Sequence, residues 1–232
     1  YKKFIKPRTG VAYIPVLQTQ PDAQGRYVVW QDTTEIIDHL EARHPQRSVY
    51  PGTPRQLLTS LLFESYADEW LVLPGMHYRW SYLEHHKNDI WEHFGLVTGK
   101  VLGFEMPKLI RRYVGKKVCE PFKKSLPLLG VTPHSIPALE AWYEAFLTQL
   151  NTHFAQHDYL LGGRASIGDF GLMGPLFAHL GRDAYPLAMM QRMAPHVYAW
   201  VQRMNRVPSS YGEFLPDDAV PETLTPILRR LF

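Results

Sequence analysis

Val11-Ala12-Tyr13-Ile14-Pro15-Val16-Leu17 is dense in β-branched, aliphatic and aromatic residues and follows a break at Gly10, which predicts a strand with a proline inside it. Pro15 removes one ladder donor. Turn signals at Pro21-Asp22 and Gly25 lead into Arg26-Tyr27-Val28-Val29-Trp30, so a second short strand is expected to return antiparallel as a hairpin. From Thr33 the period changes. Ile36, Ile37 and Leu40 share one face of a helix that Asp32 or Thr33 can cap and that His44-Pro45 stops. A two-stranded hairpin with one helix does not make a stable sheet layer unaided. The expectation is that the chain borrows strands, or that a preceding strand-helix-strand unit lies outside the sequence.

Outward from this hairpin the text becomes helical. The connector Ser48-Val49-Tyr50-Pro51-Gly52-Thr53-Pro54 crowds turn formers together and marks a boundary between residues 1–48 and residues 54–232. Beyond it Leu57, Leu58, Leu61, Leu62, Ser65, Tyr66 and Trp70 form an apolar stripe, which Pro74-Gly75 is expected to break before a second helix from Met76 to Phe94. Further helical patterns span roughly 103–114, 136–156, 167–180, 187–205 and 221–231. The predicted class is α+β, a small sheet unit followed by an all-α domain.

The 232 residues, 45% hydrophobic and 20% charged, suffice for a real core and exclude a disordered or fibrous chain. A net charge of +3 gives no reason to expect nucleic acid as partner. The one cysteine, Cys119, has no partner for an internal disulfide or a thiolate metal cage, so a reducing, cytoplasmic setting is expected. No apolar stretch approaches the ~20 residues of a membrane span.

Three local signals carry chemistry. A cis bond at Ile14-Pro15 would turn the backbone groups of Ile14 outward, ready to pair with an extended peptide, and the helix start at Asp32-Thr33 would favour a carboxylate beside it. Read alone, Asp32-Thr33 is equally an ordinary cap. Together the two halves describe a site for a small peptide with a free carboxylate. The second signal, Tyr159-Leu160-Leu161-Gly162-Gly163-Arg164-Ala165-Ser166-Ile167-Gly168-Asp169-Phe170, sets Ser166 and Asp169 in the spacing of a capping box. The third is the aromatic and histidine-rich run from Glu69 to Tyr82, whose aromatics at helical spacing fit a core or a pocket wall.

The order of these features, strand with Ile14-Pro15-Val16-Leu17, hairpin, Asp32-Thr33 helix, linker and helical domain with its capped Ser166 helix, resembles the cytosolic glutathione transferase superfamily, and its bacterial-type members in particular. The resemblance implies the second half of a thioredoxin-like, glutathione-binding domain followed by the all-α transferase domain. It implies that Pro15 is the cis-proline, that the backbone of Ile14 meets the cysteinyl part of glutathione, and that Asp32 and Thr33 form the acid-hydroxyl pair for the γ-glutamyl group. Asp32 stands where the family has Glu or Gln, one methylene longer. Tyr66, Tyr78 and Trp80 are expected to line the pocket of a small apolar electrophile. Glutathione is the implied co-substrate, no metal is implied, and a homodimer is expected through the sheet unit and the first helices of the α domain. The residue that activates the glutathione sulfur matches no position here and is expected before Tyr1. The implied reaction is transfer of glutathione to the electrophile. The alternatives are a glutathione-dependent lyase, dehalogenase, isomerase or disulfide reductase, or a non-catalytic binding or assembly protein of the same fold.

His77, His85, His86 and His93 with Glu84, Asp89 and Glu92 suggest metal ligands only superficially, since the pattern H-E-x-x-H is absent and a wet helix face explains them. Between Lys108 and Lys124 seven bases face the single acid Glu120, a surface suited to an acidic partner, an anionic co-substrate or a lipid surface, or simply a solvated face. Nucleophile-elbow, P-loop and dinucleotide motifs are missing from the sequence.

Overall fold

The computed structural model describes residues 5–11, 13–207 and 211–230, and its contacts separate the chain into two compact units, residues 1–49 and 50–232. Ala12 of the predicted first strand and Leu231 of the predicted terminal helix lie outside the described residues.

In the first unit a one-turn helix α1 (Lys6–Thr9) precedes strands β1 (Val16–Gln18) and β2 (Val29–Gln31) and helix α2 (Thr33–Arg43). The strands pair antiparallel with Val16 opposite Gln31, Leu17 opposite Trp30 and Gln18 opposite Val29. Both are shorter than the sequence predicts and end closer to the helix. The cis Ile14-Pro15 bond lies outside β1, so pairing starts only at Val16. Asp22 shapes the turn, its carboxylate accepting the amides of Gln24 at 2.9 Å and Arg26 at 2.8 Å. Trp30 stacks on His39 of α2 with ring centroids 3.6 Å apart, which fixes the helix against the strand.

The second unit is helical: α3 (Pro54–Glu69), α4 (Val72–Ser81), α5 (Lys87–Leu102), α6 (Lys108–Lys124), α7 (Ile136–Phe154), α8 (Ile167–Ala178), α9 (Ala184–Met193), α10 (Pro195–Met204) and the short α11 (Thr225–Leu228). The fold class is α+β, as the sequence predicts. Several boundaries differ for identifiable reasons. Pro74 does not break a helix but sits in the first turn of α4, where the missing amide has no intrahelical acceptor to lose. The predicted helix Met76–Phe94 is two helices. The ring of His86 reaches back to the carbonyl of Arg79 at 2.9 Å, and since a carbonyl only accepts, Nε2 donates and closes the end of α4. The predicted helix 103–114 is displaced because Gly103, at φ 82°, ends α5 in the left-handed conformation and Pro107 precedes α6. Pro195 starts a new helix inside the span 187–205. Asp218, 162 residues away, caps α3 by accepting the amides of Gln56 at 2.9 Å and Arg55 at 3.0 Å.

The main core gathers Phe63, Tyr143, Phe146, Leu150, Leu172 and Trp200 from α3, α7, α8 and α10. Helix α8 lies hard against α3, since a β-carbon on Gly168 would stand 2.7 Å from the carbonyl oxygen of Ser60. Helices α5 and α6 form an antiparallel hairpin at still closer range. A β-carbon on Gly115 would meet the Trp91 carbonyl oxygen at 1.7 Å, and one on Gly95 the Arg111 oxygen at 1.9 Å. Backbone cannot move aside as a side-chain end can. Gly115→Ala should therefore force the hairpin apart and cost on the order of 1–3 kcal/mol, read as a lower melting temperature. A variant melting with the unsubstituted protein would mean that the two helices do not pack at this distance.

Candidate functional site

The two sequence signals of the first unit meet at one point. Continuing the register beyond Val16 and Gln31 sets Pro15 opposite Asp32 and Ile14 opposite Thr33, and the Asp32 amide donates to the Pro15 carbonyl at 3.3 Å. Ile14 is 64% exposed. Gln31, which the sequence reading passed over, holds the approach to this edge: its amide nitrogen donates to the Tyr13 carbonyl at 2.8 Å and more weakly to that of Val11 at 3.4 Å. Its position directly before the Asp32-Thr33 pair was the available clue.

Asp32 has φ 88° and ψ 145°, a region that residues other than glycine rarely occupy. The cost of such a conformation is on the order of 1–3 kcal/mol and persists only where the surroundings impose it. Here the Pro15 bond on one side and the α2 cap on the other fix it. One carboxylate oxygen accepts the Thr34 amide at 3.1 Å, so Asp32 is a true N-cap. Its second oxygen faces no hydrogen-bond donor among the described residues. The arrangement offers a carboxylate oxygen for an ammonium, the first-turn donors of α2 for a carboxylate, and an exposed backbone edge for an extended peptide.

In the second unit the aromatic candidates separate. Tyr66 and Tyr78, 3% and 0% exposed, belong to the main core, where burial raises both phenol pKa values far above the ordinary range. Trp80 packs in a different cluster with Leu83 and Cys119. Trp80 does border a surface cavity of about 190 Å³ with Trp91, Lys116 and Cys119, but Tyr66 and Tyr78 do not. The three residues are therefore not one wall in this structure. Cys119 is buried, and burial pushes its thiol up to about 11, so it is a packing residue and a poor nucleophile.

The histidines of the same run have separate partners. The buried His77 meets Glu140 at 2.9 Å, and Glu140 also accepts the Tyr82 hydroxyl at 2.7 Å. A second cavity, about 200 Å³, is rimmed by His86, Asp89, His93 and Arg182 over the Arg79–Asp183 ion pair.

The capping box is complete. Ser166 caps α8 while Asp169 reaches back to the Ser166 amide at 2.9 Å, and the same carboxylate accepts Leu160 N at 3.0 Å and Trp200 Nε1 at 3.1 Å. Sequence spacing predicts the first pair of contacts. The other two tie α8 to the preceding turn and to α10, and depend on packing alone.

This helical arrangement coincides with a family match. Residues 134–208, spanning α7 to α10, match the family model for the glutathione S-transferase C-terminal domain. No curated protein matches the chain. The capped helix α8 stands at the centre of the matched segment, so it is the helical unit that is similar to the glutathione S-transferase C-terminal domain.

Proposed function

We propose that the first unit is the glutathione-binding half of a thioredoxin-like domain and that the protein transfers glutathione thiolate to a small hydrophobic electrophile. In this reading the ammonium of the γ-glutamyl group lies at the open oxygen of Asp32, its carboxylate at the Thr33 amide and hydroxyl, and the cysteinyl backbone pairs with Ile14 beside Pro15. The observation that carries it is the Asp32–Pro15 hydrogen bond, which joins the two halves of the candidate site. Cys119 is buried and its thiol is held neutral, so in this reading it does not supply the reacting sulfur, which is that of glutathione. Holding thiolate and electrophile together supplies the effective concentration on which such a reaction depends.

Asp32→Asn separates the two roles of Asp32. Asparagine caps a helix about as well as aspartate. The variant should keep its melting temperature while its affinity for glutathione, measured calorimetrically, falls roughly 10-fold or more, the size of one charge-assisted hydrogen bond. Unchanged affinity would leave Asp32 as a cap only. Thr33→Ala should add a further loss at similar stability.

The burial of Tyr66 and Tyr78 favours a second reading, a binding protein of the same fold without conjugating activity. Glutathione binding with no turnover of a chloronitrobenzene or other electrophile would select it. Binding with turnover selects the transferase.

A further inference from the structure

We propose that the tip of the α5–α6 hairpin is a contact element for an anionic lipid surface. The proposal rests on the helical unit alone and is independent of the glutathione site. Val101 and Leu102 end α5, Phe104 lies in the connecting loop, and Leu109, Ile110 and Tyr113 begin α6; all six are more than half exposed, Leu109 to 80%. Apolar side chains exposed singly are ordinary, but six within thirteen residues at one end of a helical hairpin form a patch.

The depth of this patch has a physical scale. From Leu109 to Tyr113 the helix rises about 6 Å, and Lys116 and Lys117 follow on the same face about 5 Å further from the tip. A peripheral segment places its apolar part about 5–10 Å into the headgroup and acyl boundary. Along the face of α6 that carries Leu109, Tyr113 and Lys117 the order is therefore apolar at the depth of the acyl boundary and cationic at the depth of the headgroups, while Lys108, Arg111 and Arg112 turn to Glu92. The Lys117 ammonium lies 5.9 Å from the Tyr113 ring centroid and that of Lys116 lies 5.4 Å from the Trp91 ring, so both stems already run along apolar surface.

Charge selects the occupant. From His93 to Cys119 the bases Lys100, Lys108, Arg111, Arg112, Lys116 and Lys117 face the single acid Glu105. Glu92 answers part of this excess, since Lys108, Arg111 and Arg112 all converge on it, but one carboxylate is shared among three cations. A second copy docked face to face would bring a surface rich in cations against another of the same sign. An anionic bilayer meets both the apolar tip and the cations behind it. No helix among the described residues is long and apolar enough to cross a membrane, so the contact is with the surface.

The test is co-sedimentation of the full chain with phosphatidylcholine vesicles, with or without about one third phosphatidylserine, at low and high salt. Binding is expected to the anionic vesicles, to weaken with salt, and to be slight on the neutral ones. Lys116→Ala with Lys117→Ala should weaken it roughly 25-fold, about fivefold for each cation near the surface. Leu109→Ser with Ile110→Ser should abolish it at an unchanged melting temperature, because both side chains are exposed. Glu105→Gln should tighten it. Absence of binding to anionic vesicles, or equal binding to neutral ones, overturns the proposal. So does a dimer, seen by sedimentation velocity without lipid, that the Leu109 and Ile110 substitutions dissociate, since the face would then belong to a second copy.

Discussion

Asp169→Ala is expected to destabilise the helical unit by about 3–5 kcal/mol, because it removes the acceptor of three buried N–H groups and the Ser166 hydroxyl at once. The carboxylate is fully buried. One oxygen takes Leu160 N and Trp200 Nε1, the other takes Ser166 N and Oγ, and none of these donors reaches solvent when the acid is gone. For a unit of this size the melting temperature should fall by about 10 °C. Asp169→Asn should fall between the variant and the parent. Its carbonyl can still serve Leu160 and Trp200, but its NH₂ turns a donor toward the Ser166 amide. An Asp169→Ala protein melting within a degree or two of the parent would show that the carboxylate does not hold these elements together.

The same residue has a pH signature. Burial is the largest influence and pushes Asp169 up to about 6 from the usual 3.8, against the pull of its hydrogen bonds from Ser166, Leu160 and Trp200. A folded pKa above the unfolded one means that the native state holds the proton more tightly. The contribution is complete below about pH 4 and is lost as pH rises through 6, about 3 kcal/mol for a shift of this size. The neutral Asn variant lacks this dependence, so its deficit relative to the parent should narrow between pH 4 and 7. A deficit that widened with pH would mean that the hydrogen bonds outweigh burial.

Legibility in the sequence follows the range of the interactions involved. The hairpin order, helix α2 with its Asp32 cap, and the capping box at Ser166 rest on contacts within a few residues, and local patterns report them. The family resemblance drew on the same local motifs, and the match over residues 134–208 covers the one at Ser166. The Asp218 cap on α3 spans 162 residues and leaves no local trace. The break between α4 and α5 depends on His86 finding the Arg79 carbonyl, which hydrophobic periodicity cannot report. Tyr66 and Tyr78 illustrate the ambiguity of aromatics at helical spacing, since the period marks an apolar face without saying whether a ligand or another helix covers it. Of the residues proposed to hold glutathione, Pro15 and Asp32 are joined by one backbone bond, while the contacts of Gln31 needed the register of the hairpin.

Asp183→Ala should be nearly as damaging as the loss of Asp169, for a different reason. Asp183, 3% exposed, receives Arg79 Nε at 2.7 Å and Nη2 at 3.2 Å in a bidentate pair that ties α4 to the start of α9. Arg79 is itself only 12% exposed and donates further to the Ala178 carbonyl at 3.1 Å. Removing one partner leaves a charge that water cannot reach freely, a loss of about 3–5 kcal/mol for a buried pair. His179 sharpens the result: burial foremost, and then Arg79, hold its imidazole down at about 4, with Asp183 among the opposing influences. Without that carboxylate two basic groups face one another in the same recess. Arg79→Ala should cost less than Asp183→Ala, since it leaves Asp183 unpaired but frees His179 to take up a proton beside it. Replacing both with apolar residues, Arg79→Met with Asp183→Leu, should recover much of the loss, because the pair's attraction mainly offsets its own desolvation. A double variant as unstable as the sum of the two single ones, compared by denaturant unfolding, would show that the two side chains act separately.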